Sequence, residues 1–124
     1  QILGIAHPTG RPGLVVKSIG EYKAIYSAAP MLPWSLMRNI ARYAGVHIYN
    51  DEGDMVWGNN AFLSIYAQHE GRRTIRFPYP VTVSDAYNGQ RLGKAVTSLD
   101  LQMARWETKL LALEGPGTKS KTQS

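Results

Sequence analysis

Beyond Gly45 the apolar residues settle into a two-residue period. Leu63, Ile65 and Ala67 alternate with Ser64 and Tyr66, and Leu99, Leu101 and Met103 alternate with Ser98, Asp100 and Gln102. That period places every apolar side chain on one face of an extended strand, so this stretch must form half-buried sheet rather than helix. Turn-forming residues separate the runs. VHIYN and MVWGN flank DEGD and predict a hairpin, with Gly53 supplying a positive φ; QHEG precedes TIRF, and Asn88-Gly89 lies between VTVSDAY and QRLGK. Pro78 and Pro80 interrupt sheet pairing and predict an edge or a corner. With SLDLQM and TKLLAL added, roughly eight short strands predict a mainly β fold, an antiparallel β-sandwich or Greek-key domain over residues 46–114.

Before Gly45 the pattern differs. Gly10, Pro12 and Gly13 lead into Leu14-Val15-Val16, a β-branched run with strand character, and Ile25-Tyr26 predicts a second short strand after a turn at Gly20. Pro33 suits the first position of a helix, where its missing N–H goes unnoticed. Leu36, Met37, Ile40, Ala41 and Ala44 then recur at three- and four-residue spacing, and Gly45 provides the stop. The organisation expected is a strand–helix segment over 1–45, a β domain over 46–114 and a disordered tail over 115–124.

Composition narrows the function classes. The 124 residues are too few for a (β/α)8 barrel, which needs about 250. With no cysteine, disulfides, thiolate metal sites and cysteine nucleophiles are excluded. No run reaches the roughly 18 apolar residues of a membrane span, so no membrane partner and a soluble chain, cytoplasmic or secreted, are expected. The net charge of +5 is spread singly or in pairs such as Arg72-Arg73, with Lys119 and Lys121 in the tail, and no nucleic-acid motif accompanies it. A solvated surface, without a nucleic-acid partner, is the reading favoured.

The stretches KAIYSAAPMLPWSLMRNIARYAGVHIY, GDMVWGNNAFLSIYAQHEGRRTIRFPYPVTVSDAYNGQRLG and WETKLLAL resemble the C-terminal end of β-galactosidase-like glycoside hydrolases. The junction IARYAGVHIY, the segment GDMVWGN and the Asp85–Gly89 turn carry the resemblance most specifically. It implies that residues 1–45 are the end of an α/β trimerisation domain with a glutamine-amidotransferase-like fold, and that 46–114 are the small C-terminal β domain. It also implies that the catalytic carboxylates belong to a barrel outside this chain. Tyr66 departs from the pattern, standing where such sequences carry a histidine.

Candidate chemistry within the chain is sparse. Glycoside hydrolysis needs two carboxylates about 5–9.5 Å apart across a sugar pocket, and nothing in the sequence recommends such a pair. Asp51, Glu52 and Asp54 are the densest acidic group, but they lack a calcium-loop spacing and read as a solvated turn. His7, His47 and His69 are the low-ranking metal candidates, since none is spaced as a local ligand pair. No serine elbow or phosphate loop is present, and no cofactor is expected.

Aromatics remain. Tyr49 and Trp57 on the expected first hairpin, with Tyr66 on the next strand, are the candidate carbohydrate-binding residues, because a flat ring stacks on the apolar face of a pyranose. The competing reading, that Trp57 covers a sheet face packed on the preceding domain, is favoured; Trp34 and Trp106 read as packing anchors. The leading expectation is therefore a non-catalytic C-terminal accessory domain with a structural or assembly role. A carbohydrate-binding module is the alternative, and a small copper-dependent polysaccharide-active enzyme ranks third. The partners envisaged are a carbohydrate, the catalytic domains of a parent chain, and further copies of the chain itself.

Overall fold

In a computed structural model, which describes residues 1–116, the chain is mainly β, with two antiparallel sheets and one short helix. Two compact units divide at Met37 and Arg38. That division falls inside the helix rather than after Gly45. The tail expected over 115–124 lies, from residue 117 onward, outside the described residues.

The first unit carries strands β1 (Ile2–Ala6), β2 (Arg11–Ile19) and β3 (Tyr22–Ser27) in the order β1-β2-β3. β2 and β3 correspond to the two predicted strands. β1 was not foreseen from its sequence, because Gly4 and Ala6 dilute its apolar signal and its pairing with β2 is what makes it a strand. Leu14 and Val16 point to the covered face, whereas Ile2, Tyr22 and Tyr26 are exposed on the other. An antiparallel meander thus stands where the resemblance implied the last strand of an α/β layer.

Helix α1 (Trp34–Tyr43) begins where Pro33 O accepts from Met37 N. It ends in a paired closure: Gly45 N donates to Arg42 O and Val46 N to Ala41 O. This arrangement needs a left-handed residue, and Gly45 supplies it at φ 77°. The predicted apolar stripe is only half covered, with Leu36 and Ile40 partly buried and Met37 exposed.

The second unit holds β4 (Met55–Gly58), β5 (Phe62–Tyr66), β6 (Gly71–Asp85), β7 (Arg91–Met103) and β8 (Thr108–Glu114). Its sheet order is β4-β5-β8-β6-β7, so the last strand inserts between two earlier hairpins. Five strands, of which β6 and β7 are long, stand where about eight short ones were expected in this region. TIRF and VTVSD belong to one strand, as do QRLGK and SLDLQM. Pro78 and Pro80 do not end β6; they sit exposed at a break in its register with β7, between Arg76 and Val81, where no ladder N–H is required.

Inward residues on both sides of that break join one core. Ile75, Phe77, Val81 and Val83 of β6 cluster with Leu63 and Ile65 of β5, Leu101 and Met103 of β7, and Leu111 and Leu113 of β8. The bent β6–β7 ribbon thereby closes the sheet in a sandwich-like way over its own apolar face.

VHIYN is not a strand, and the hairpin with MVWGN does not form. β4 pairs with β5 instead, through Trp57↔Ser64 and Met55↔Tyr66. Residues 47–49 run beside β6, where Tyr49 O accepts from Arg76 N and His47 Nε2 bonds Arg76 O. Their alternation was real, but the edge it satisfies belongs to a strand far away in sequence.

Candidate functional site

The register of β4, β5 and β8 decides which side chains share a surface. Paired residues lie on the same side of a sheet, and Leu63, Ile65 and Leu111 mark the inner one. Met55 and Trp57 of β4, Phe62, Ser64 and Tyr66 of β5, and Thr108 and Leu110 of β8 therefore face outward. Trp57 is 60% exposed and Phe62 46%. Trp57 lies diagonally across from Tyr66, a separation of roughly 7–8 Å between backbones.

The turn between β7 and β8 adds a fourth ring. Trp106 stacks on Tyr66 with centroids 6.1 Å apart and planes 24° apart, and is 54% exposed. The Arg105 guanidinium lies over the Trp106 ring at 4.5 Å. Trp106 has φ 66°, a left-handed conformation that a bulky residue seldom adopts. The turn is held by Trp106 N donating to Ala67 O at 2.8 Å and by Ala104 N donating to Glu107 Oε2 at 2.7 Å. Glu107 is in turn paired with Lys109 at 2.9 Å, and that ammonium, followed by the Ala104 N–H, holds its carboxyl below the usual range.

Of the three aromatic candidates, Trp57 and Tyr66 come together on this face and Tyr49 does not. Tyr49 packs against the core and meets the His47 ring edge-on at 4.8 Å. It was grouped with Trp57 through a hairpin that does not exist. Trp106, read from sequence as a packing anchor, is instead exposed and joined to Tyr66. Only its position just before β8 hinted at this, since a turn residue belongs to no period.

Each histidine has its own local setting. His47 Nε2 donates to Arg76 O at 2.8 Å, His69 lies in the turn before β6, and His7 belongs to the first unit. Among the described residues, no group of three or more His, Cys, Asp or Glu is arranged to hold a metal ion.

In the acidic group Asp51 and Glu52 are exposed as a turn would have them, but Asp51 and Asp54 are also paired. Asp51 pairs with Arg42 at 2.7 Å and Arg76 at 3.3 Å, and its backbone carbonyl accepts from Arg38. Asp54 is buried against Arg73 and also accepts from Asn50 and from Gln68 N. These carboxylates fasten the 50s loop to α1 and β6. The partner arginines are spaced from 9 to 25 residues away, beyond any local pattern.

No family model, characterised protein or solved structure matches the chain. Among the described residues, no helix is long and apolar enough to cross a membrane.

Proposed function

We propose that this chain is a non-catalytic accessory domain of a carbohydrate-active enzyme of the glycoside hydrolase kind, and that it holds carbohydrate on the outer face of its five-stranded sheet. The observation that carries the reading is the exposed Trp57 ring on the same face as Tyr66. An indole offers a flat apolar surface to the C–H groups of a pyranose; the outward Ser64 lies directly across from Trp57, and the outward Thr108 across from Tyr66, to meet sugar hydroxyls. The resemblance to the C-terminal region of β-galactosidase-like enzymes supports the same class. So does the use of the carboxylates: Asp51, Asp54, Asp100 and Glu107 are each taken up by an arginine or lysine, rather than opposed across a pocket.

Calorimetry or affinity electrophoresis of the chain against a panel of soluble polysaccharides tests the reading. Binding to one of them, weakened about tenfold or more by Trp57→Ala in a variant with unchanged circular dichroism, is expected. Absence of binding across the panel, or indifference to Trp57→Ala, would overturn it.

A second reading, assembly, is favoured by Met55 and Phe62, which are 48% and 46% exposed on the same face and add apolar area with no selectivity for sugars. That face would then be covered by the remainder of a parent enzyme or by another copy. Sedimentation velocity separates the cases: a self-association abolished by Phe62→Ser supports assembly between copies.

A further inference from the structure

We propose that the carbohydrate held on this face is anionic, a glycan carrying uronate groups, and that Arg105 recognises its carboxylate. The inference rests on the carbohydrate reading above and goes beyond it in naming the ligand's charge. Arg42, Arg72, Arg73 and Arg76 are each engaged by an aspartate. Arg105 differs from these four: among the described residues it lies over the Trp106 ring and makes no ion pair with a carboxylate. A guanidinium held over an indole ring is not thereby spent on a carboxylate, and its N–H fork matches the two oxygens of one.

Three features place this cation where a ligand stacked on Trp57 would meet it. Tyr66 lies diagonal to Trp57 on the outward face and is stacked on Trp106, over whose ring the Arg105 guanidinium lies, so the cation stands at the Tyr66 side of that face. The left-handed Trp106 is held by bonds to Ala67 and by the Ala104–Glu107 closure, which keeps an unfavourable backbone conformation in place and the ring outward. Charge is the third feature. The outward positions of β4, of β5 and of β8 from Thr108 to Ala112 carry no acidic side chain, the outward Glu114 lies at the opposite end of β8 from Thr108, and Glu107 is neutralised by Lys109. The net charge of +5 draws in a polyanion rather than repelling it.

The test is calorimetric titration of the full chain, at pH 7 and fixed salt, with polygalacturonate, alginate and hyaluronan. Each is compared with its methyl ester, which keeps the backbone and removes the charge. The expected result is binding of at least one free acid, about tenfold weaker binding of its ester, and the same loss for the free acid with Arg105→Gln, while that variant binds the ester as the parent chain does. Equal binding of acid and ester, preference for neutral glycans, or an unaltered Arg105→Gln overturns the proposal and leaves the carbohydrate reading standing. Failure of every glycan, charged or neutral, removes both. Tighter binding of an oligothymidylate than of any glycan also overturns it, since stacked rings beside a guanidinium would then serve nucleobases.

Discussion

Arg73 Nε donates to Asp54 Oδ2 across 2.6 Å, and the two side chains are 5% and 1% exposed. The pair joins the loop before β4 to the start of β6. Asp54 also accepts from Asn50 Nδ2, while Arg73 donates to the carbonyl of His69, so both charges are buried among their own hydrogen bonds. The aspartate's hydrogen bond is the main cause of the raised Arg73 pKa.

Removing one member of such a pair strands the other charge without water. Asp54→Asn should therefore cost about 3–5 kcal/mol of stability, read as a lower urea midpoint at unchanged slope. A loss no larger than that of an exposed pair would contradict the burial of Arg73.

Asp51 offers the contrast, because its pairs with Arg42 and Arg76 are half exposed. Solvent screens them, and Asp51→Ala should cost under about 2 kcal/mol in total. The difference from the parent chain should shrink further in 0.5 M salt, to be measured on the same denaturation curves.

Leu110 and Leu111 are neighbours on β8 that face opposite ways, Leu111 fully buried in the core and Leu110 on the outer surface. Leu111→Ala should lose about 2–5 kcal/mol through lost transfer energy and an unfilled cavity. Leu110→Ala should lose about 1 kcal/mol or less. Reversal of that order would mean that β8 is paired one residue out of register.

Glu107 sets a pH dependence. Its folded-state pKa is lowered, first by Lys109 and then by the Ala104 N–H, so the unfolded chain takes up its proton at higher pH than the folded one. The stabilisation is accordingly complete above the unfolded value, about 4.3, and is lost as pH falls through the lowered folded value. Comparing urea midpoints of the parent chain and Glu107→Gln from pH 7 to 3 should show a gap at neutral pH that closes in acid. A gap constant with pH would exclude this role for the carboxylate.

Much of the sheet was legible because its signal is local. The alternation in FLSIYA and SLDLQM assigns the inward residues Leu63, Ile65, Ala67, Leu101 and Met103 correctly, and Asn88-Gly89 marks the β6–β7 hairpin, with Gly89 at φ 72°. The same local rules misjudged 46–50. Alternation says that an edge will be satisfied, but not by which strand, and the partner proved to be Arg76 of β6. The prolines of β6 were read correctly as an interruption, though not as a break that the strand survives.

The sequence by itself determined that this chain is mainly antiparallel β, where its one helix stops and which residues of its alternating strands turn inward, because period and turn chemistry act over a few neighbouring residues. Only the tertiary structure decided that β8 inserts between β5 and β6, that Asp51 and Asp54 are fasteners rather than ligands, and that Trp106 joins Tyr66 while Tyr49 leaves the aromatic face. Each of those outcomes rests on residues brought together from distant parts of the chain by burial of a common core, and no local pattern carries that information.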